Sequence, residues 1–443
     1  MNLPKARVYV TVALALMIGF VSPTRAADPT IDANAAGQIA GSGATFPVNQ
    51  YTKWFTVFTK ANSETTPVTS GTSLKQFSSS NSATSLVLSY NGVGSSAGIA
   101  NFFGANRRKP TQMFSGTDAV LTSANRTSIQ ATDIGTNYAV IPAITGPISV
   151  AYNLAVKNSA GTPVTLRFNG EVLCGIYTGQ IKTWNDPKIA ALNPVAVLPS
   201  STIKVVGRSD GSGTTFIFAS YLAKAAAADQ KKCGYHSNFV SNTTVDFSGA
   251  EGTFKPVNTA PGTYFGAMRT ANGAAAITGG SGNAGVAAAV KANAGSIGYV
   301  ESSYVGPNKL SEGAIEAKDT SGGSKVYLRP SAATVNSALT NAVTGEDPIN
   351  PSVSFVQPVF AAGTNSYPIV GYSWWMIYLR YTDANGLTLQ QVQGMIAFMN
   401  WALTTGQLAT NLEVGYQPIP ASVRAAAVAK LHEIQFNGVV VWP

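Results

Sequence analysis

The hydrophobic residues of this chain occur in short runs and in helical spacings that alternate along the sequence. The short runs are rich in β-branched and aromatic residues, which is typical of buried strands. They predict strands at residues 86–90, 113–115, 138–142, 148–152, 203–206, 296–300 and 372–378. Because helical patterns separate most of these runs, we predict an α/β protein with largely parallel sheets.

Apolar residues spaced by three and four positions predict the helices. Tyr51, Trp54, Phe55 and Phe58 lie on one face of the first helix, whose apolar stripe is expected to face a core. Two more helices are predicted at residues 216–224 and 285–294, and another near the C-terminus. The last carries the apolar residues Val392, Met395, Ile396, Met399 and Leu403.

The composition is typical of a large folded protein without a nucleic-acid partner. Of the 443 residues, 45% are hydrophobic and 11% are charged, so two or three domains with a substantial core are expected. The formal net charge is +9, but no run of five basic residues occurs. The densest basic cluster, at residues 107–109, is expected to be a solvated loop.

The first 26 residues have the pattern of a secretory signal peptide. Lys5 and Arg7 precede an apolar segment at residues 8–20, which is too short for a good membrane span. Thr24 and Ala26 place small side chains at positions −3 and −1 of a predicted cut before Ala27. We therefore expect an exported protein, periplasmic or secreted.

The chain has two cysteines, Cys174 and Cys233. In an exported protein such a pair favours a disulfide, and two buried free thiols are the alternative. A loop of 59 residues closed by this bond would stabilise the fold by roughly 4 kcal/mol in the chain-entropy model.

Three turns rich in glycine and hydroxyl residues each follow a predicted strand and open a predicted helix. The first turn of a helix has unpaired N–H groups and a partial positive charge, so such a turn can bind an anion. A single turn of this kind is equally typical of a plain loop. None of the three matches the phosphate loop of nucleotide-binding proteins. The turns are centred on residues 43–46, 94–96 and 211–214.

These turns and several shorter motifs resemble, in the same order, the periplasmic phosphate-binding protein of the high-affinity phosphate ABC importer. The resemblance covers nearly the whole mature chain. The cysteine pair and the turn Arg208–Thr215 are also similar to the DING-type phosphate-binding proteins, although their Asp-Ile-Asn-Gly start is absent. The loops at 62–85 and 234–275 are longer than in the simplest family members. The matching motifs are Gly41–Pro47, Gly92–Ser96, Gly116–Ala119, Ile176–Gly179 with Trp184, Arg208–Thr214, Gly295–Glu301 and Asn400–Ala402.

The resemblance implies the two-lobed type II periplasmic binding protein fold, with a ligand cleft between lobes that two crossing strands join. We expect residues 27–147 and 331–443 to form the first lobe and residues 148–330 the second. It also implies one bound inorganic phosphate, a monomer with no cofactor or metal, and partners in the permease and ATPase subunits of the importer.

At positions that match the family's motifs, the resemblance implies which residues bind phosphate. Asp210 would hold Arg208 in place by a salt bridge, as the matching family residue does. The other implied ligands are Thr45, Phe46 and Ser95 from the first lobe, and Ser212, Gly213 and Thr214 with Arg208 from the second.

Asp118 would decide between anions. A carboxylate repels sulfate but can accept a hydrogen bond from the proton that hydrogen phosphate carries. The alternative is that Asp118 merely caps a turn. A secreted scavenger or a phosphatase of the DING-type group remains the alternative function, although neither His236 nor His432 lies in a metal-ligand or catalytic motif.

Overall fold

The structure is a computed structural model that describes residues 38–63, 87–119, 121, 123–228, 269–318, 323–342 and 358–443. Several predicted features lie outside the described residues. They are the signal peptide, Cys233, His236 and most of the predicted loops at 62–85 and 234–275. The signal peptide therefore stays a prediction.

The helices predicted around Trp54, at 216–224, at 285–294 and near the C-terminus are present in the described ranges. The predicted helix at 216–224 is longer than expected, because it begins within the Gly/Ser turn before it. None of these helices is long and apolar enough to cross a membrane. They are α1 Val48–Ser63, α2 Ser95–Phe103, α3 Ser123–Gln130, α4 Gly170–Thr178, α5 Pro187–Leu192, α6 Gly213–Ala228, α7 Gly282–Ala292, α8 Ala332–Ala342, α9 Leu389–Leu403 and α10 Ala421–Leu431.

Strands separate the helices along most of the chain, as the sequence predicts. Most of the longer strands are buried along most of their length, but the edge strand at residues 87–92 is not, and most of the two-residue strands form small accessory sheets. The strands are β1 Gln38–Gly43, β2 Val87–Gly92, β3 Phe114–Thr117, β4 Tyr138–Asn153, β5 Lys157–Asn158, β6 Arg167–Phe168, β7 Ala196–Val197, β8 Lys204–Arg208, β9 Thr278–Gly280, β10 Ser296–Glu301, β11 Ser311–Glu312, β12 Ala314–Glu316, β13 Tyr327–Leu328, β14 Val370–Tyr378, β15 Arg380–Tyr381, β16 Gln435–Phe436 and β17 Val439–Val440.

A sheet that runs through both halves of the described molecule organises the fold. Its strand order is β2-β1-β3-β14-β4-β10-β8-β9, and β11 also pairs with β4. Strands β1, β2 and β3 are parallel at one end, and β8, β9 and β10 are parallel at the other. The prediction of largely parallel sheets is wrong at the centre, where β14, β4 and β10 form antiparallel pairs with their neighbours.

Strand β4 corrects a second prediction. The sequence predicts two strands, at 138–142 and 148–152, but the structure has one strand of 16 residues. The register against β14 shifts between Ser373 and Trp374, so that Ala143 is an extra residue in β4. This β-bulge carries the strand past Pro142 without ending it.

The first half of the sheet packs on an aromatic core that the helical spacing predicted. Tyr51, Trp54 and Phe58 of α1 are buried, and the ring of Trp54 lies 6.1 Å from that of Trp375 in β14. The ring of Phe58 lies 5.5 Å from that of Phe398 in α9. These contacts fix α1, and with it the turn before α1, against the sheet.

The two halves are joined where β4 passes from one pairing partner to the next. Pro147 pairs with Val370 of β14, and the following residue, Ile148, pairs with Glu301 of β10. The Ile148 N–H also donates to the Ile369 carbonyl at 2.8 Å. Both crossings of the chain therefore lie side by side at this point.

The segment that leads into β14 contacts the second half of the molecule. Lys224 in α6 donates to the Val359 carbonyl at 3.1 Å, and Lys318 forms a β-bridge with Ala362. These contacts indicate that the chain returns to the first half closer to residue 369 than to residue 331. The lobe bounds themselves stay a prediction.

A buried carboxyl group lies at the crossing. The side chain of Glu301 is fully buried and accepts hydrogen bonds from Ser302 and Ser303. Burial raises the pKa of Glu301 to about 8, although the bonds from Ser303, Tyr416 and Ser302 lower it. The folded protein therefore holds a proton that the unfolded chain releases at lower pH.

We predict that this proton makes the stability fall as pH rises. Between an ordinary glutamate pKa near 4.5 and about 8, the folded state binds more protons than the unfolded state, so the free energy of unfolding decreases with pH. In Glu301→Gln the side chain stays neutral, and the melting temperature should fall less between pH 5 and pH 9. Thermal unfolding followed by circular dichroism measures this.

The exposed Glu433, which pairs with Lys430, provides a matched control. Glu433→Gln should keep the pH profile of the wild-type protein. Melting curves of Glu301→Gln and wild-type protein that run parallel across this pH range would contradict the prediction.

Candidate functional site

The first turn is fixed by a close approach of two strands. Gly43 ends β1 with φ +146°, and a side chain there would meet the Gly116 carbonyl oxygen at 2.0 Å. The next residue, Ala44, donates its N–H to the same oxygen at 2.9 Å. Thr45 and Phe46 follow and are buried at the mouth of α1.

The second turn is bonded directly to the first. The Gly94 N–H donates to the Gly43 carbonyl at 2.8 Å. Gly94 has φ +95°, and Ser95 is the first residue of α2, where its side chain is buried. The N-termini of α1 and α2 therefore point into the same region from one half of the molecule.

The third turn belongs to the other half and opens α6. The Ser212 side chain caps this helix by accepting a hydrogen bond from the Thr215 N–H at 3.1 Å. Gly213 and Thr214 therefore lie in the first helical turn, where their N–H groups have no carbonyl partner within the helix. Serine is a typical N-cap residue. Because Ser212 caps the helix, α6 begins at Gly213, before the apolar pattern that starts at residue 216.

Arg208 supplies the buried positive charge. It ends β8 and is 1% exposed. Its Nε donates to Asp210 Oδ1 at 2.7 Å, and its Nη2 bonds Asp210 Oδ2. Its Nη1 donates to Thr214 Oγ1 at 3.3 Å. The two-point ion pair orients the guanidinium across the first turn of α6.

Asp118 lies just after β3 and faces this arginine from the first half. Ser373 donates to its Oδ1 at 2.7 Å, and Ser95 lies 3.5 Å from its Oδ2. Burial raises the pKa of Asp118 to about 7, against the lowering effects of the Ser373 bond, the Arg208 charge and the Ser95 bond. Its charge can therefore change near neutral pH.

The walls from the two halves meet at Gly213. Its N–H donates to Ser95 Oγ at 3.1 Å. A side chain at Gly213 would place its Cβ 2.5 Å from the Asp118 Cβ and 2.6 Å from Ser95 Oγ. The Ser96 N–H likewise reaches the Gly211 carbonyl at 3.3 Å. Glycine at 213 is thus required for the two walls to approach this closely.

A fourth turn completes the site, and the sequence analysis missed it. Strand β9 leads into α7, which begins at Gly282 and not at residue 285 as predicted. The Gly282 N–H donates to Asp210 Oδ1 at 3.0 Å, and Asn283 reaches both Thr45 and Thr214. The Gly/Ser pattern of residues 279–282 was the available signal. It was missed because β9 has three residues and no hydrophobic run.

The structure thus brings together the segments that carry the nine predicted site residues, with Phe46 placed there as the chain neighbour of Thr45. Their role as ligands stays a prediction. Main-chain N–H groups, hydroxyl groups and one guanidinium surround a region that faces one carboxyl group. Such a set suits an oxyanion that carries at least one proton. Within the described ranges, no three His, Cys, Asp or Glu side chains gather into a set that could hold a metal ion. The residues are Thr45, Phe46, Ser95, Asp118, Arg208, Asp210, Ser212, Gly213 and Thr214.

One cysteine of the predicted disulfide lies within the described residues. Cys174 is buried within α4, and its carbonyl accepts a hydrogen bond from Thr178 Oγ1 at 2.8 Å. Cys233 lies outside the described residues, so the pairing stays a prediction.

Comparison with known proteins identifies the family of the chain. A family model of the PBP superfamily domain matches residues 28–405. The phosphate-binding protein PstS of Haemophilus influenzae is 29% identical over 388 residues, which cover 88% of this chain and 90% of that protein. PstS of Pasteurella multocida is 32% identical over 282 residues, which cover 64% of this chain and 67% of that protein.

Solved structures share the fold at lower identity. A high affinity periplasmic phosphate-binding protein (PfluDING) bound with phosphate aligns with a TM-score of 0.57 and 20% identity, over 88% of this chain and 93% of that one. A human phosphate binding apolipoprotein aligns with the same TM-score and identity, over 88% and 94%. Together with the family model and the curated relatives, these matches show that the chain belongs to the PBP superfamily and, within it, to the PstS phosphate-binding protein family.

Proposed function

We propose that this chain captures inorganic phosphate between its two halves and delivers it to an ABC importer. The observation that carries the proposal is the convergence of the α1, α2 and α6 N-termini on one buried arginine and one buried carboxyl group. The names of the PstS relatives support the same ligand. Binding would close the two halves on the anion by a rigid-body motion at the paired crossings, with no chemical step.

In this proposal each half supplies a different part of the recognition. Thr45, Phe46 and Ser95 offer donors from the first half. From the second half, Arg208 offers charge and the start of α6 offers N–H and hydroxyl groups. The Asp118 carboxylate accepts a hydrogen bond from the proton of hydrogen phosphate, and it repels sulfate, which has no proton to donate at neutral pH.

We predict that preference for phosphate over sulfate rises with pH. Asp118 has a pKa of about 7, so below that pH it takes up a proton and can donate to either anion. Above it, only a protonated oxyanion is accepted. The ratio of the two dissociation constants should be larger at pH 8.5 than at pH 5.5, and Asp118→Asn should lower the ratio at pH 8.5 by about tenfold or more. Isothermal titration calorimetry measures both.

Asp133, which pairs with Arg107 on the surface, is the control for this change. Asp133→Asn should retain the pH dependence of the wild-type protein. Equal binding of phosphate and sulfate at pH 8.5 would overturn the role of Asp118. Failure to bind phosphate at any pH would overturn the proposed function itself.

We also predict that Gly213→Ala weakens phosphate binding without unfolding either half. Alanine favours the helix interior, but its methyl group would overlap Asp118 and Ser95 when the walls meet. Overpacking of this size costs about 1–3 kcal/mol, so the dissociation constant should rise roughly 5- to 150-fold. Calorimetry gives the affinity, and a thermal melt of the phosphate-free protein checks the fold.

Gly306 offers the matched control, because a side chain there would have no neighbour within 4 Å. Gly306→Ala should bind phosphate as the wild-type protein does. A Gly213→Ala variant with unchanged affinity would show that the walls do not need to meet at this residue.

The importer partner and the location are part of the same proposal. An exported monomer that carries phosphate to permease and ATPase subunits agrees with the predicted signal peptide and with the periplasmic structural relative. No catalytic role is proposed. His432 stacks on Trp442 at 3.8 Å between ring centroids and bonds the Trp442 carbonyl. Turnover of a chromogenic phosphate ester by the purified protein would instead support the phosphatase alternative.

A further inference from the structure

Asn283 is a buried amide at the start of α7 whose orientation the backbone fixes. It is 0% exposed. Its Oδ1 accepts a hydrogen bond from the Glu301 N–H at 2.9 Å. A main-chain N–H can only donate, so the amide oxygen must face Glu301 and the NH₂ group must face the other way.

The NH₂ group lies between the two walls of the site. It donates to Thr45 Oγ1 on the first wall and to Thr214 Oγ1 on the second, at 3.1 Å each. Because Thr45 and Thr214 come from opposite halves, one amide group contacts a proposed phosphate-binding residue in each half.

Both threonine hydroxyls receive a second hydrogen bond. Thr45 Oγ1 also accepts from the Asn283 N–H at 3.3 Å. Thr214 Oγ1 also accepts from Arg208 Nη1 at 3.3 Å. A hydroxyl oxygen has two lone pairs, so both acceptor positions of each threonine are filled. Each hydroxyl can then bond a further group only through its own proton.

We propose that Asn283 is a positioning residue that makes the Thr45 and Thr214 hydroxyls obligatory donors to the bound oxyanion. A free hydroxyl can rotate and present a lone pair, which would repel the anion. When both acceptor positions are filled, the hydroxyl cannot turn a lone pair toward the anion and presents its proton instead. This inference rests on the proposed phosphate function and extends it to a residue that does not itself provide the charge.

The Asp118 carboxyl group fits this arrangement of donors. The site has two carboxyl groups. The oxygens of Asp210 accept from Arg208 and from the Gly282 N–H, which leaves Asp118 as the acceptor for a proton of the anion. A hydroxyl group can donate or accept a hydrogen bond. Asn283 restricts the Thr45 and Thr214 hydroxyls to donating. An anion with one proton then meets one acceptor and a uniform set of donors.

A double-mutant cycle tests the proposal. Asn283→Leu, which keeps the branch at Cγ and the number of side-chain heavy atoms, would be combined with Thr45→Val and, separately, with Thr214→Val. Phosphate affinity of each variant would be measured by calorimetry. We expect Asn283→Leu alone to raise the dissociation constant about 10- to 100-fold. In each valine background its effect should be at least about threefold smaller, because one of its two targets is gone.

A purely structural role would give a different result. It would lower the melting temperature of the phosphate-free protein and cost the same affinity in every background. Asn193 is the control, because it is also a buried amide. It bonds the main chain of Arg167 and Ile189 and no residue of the site. Asn193→Ala should lower the melting temperature and leave phosphate affinity within about twofold.

Each outcome decides the proposal. Unchanged affinity of Asn283→Leu, or an equal loss in all backgrounds, would overturn it while leaving the phosphate function intact. If Asn283→Leu does not fold, the same cycle with the smaller Asn283→Ala gives the coupling. A wild-type protein that binds no phosphate would remove the proposed function and this inference together.

Discussion

The close approach of two walls at a residue without a side chain is the constraint on which the proposed site depends. The Gly213 N–H reaches Ser95 Oγ at 3.1 Å, and a methyl group there would overlap Asp118. A site that surrounds a small oxyanion must bring donors from both halves within hydrogen-bonding distance of one point. Only glycine at the start of α6 leaves room for the two walls to approach this closely.

The continuous sheet makes this approach possible. Strand β4 pairs with β14 in one half and with β10 in the other, so the halves share a strand and are not linked by a loose connection. Each half then ends its parallel strands toward the cleft, where helix N-termini follow. Glu301 lies at the crossing, and its N–H orients Asn283, so the same strand end that joins the halves also sets the polarity of the site.

Much of the site could be predicted because its chemistry is local in sequence. A glycine-rich turn after a strand and before a helix is recognisable from a few residues, and so is the ion pair of Arg208 with Asp210, two positions away. Asn283 escaped prediction because its partners, Thr45 and Thr214, are 238 and 69 positions distant. The central antiparallel pairing of β4 was missed for a related reason, since two prolines within the strand indicate a break when its partner is unknown.

The sequence by itself determined the elements, the order of the turns and the kinds of group that could meet an anion, because hydrophobic spacing and turn chemistry are properties of neighbouring residues. The tertiary structure decided which turns face each other, which groups lose water and which hydroxyls are left to donate. Burial raises the Asp118 pKa to about 7, and the groups that bond it or act on its charge, Ser95, Arg208 and Ser373, come from other segments of the chain. Such environments arise from contacts between distant segments, and no local pattern specifies them.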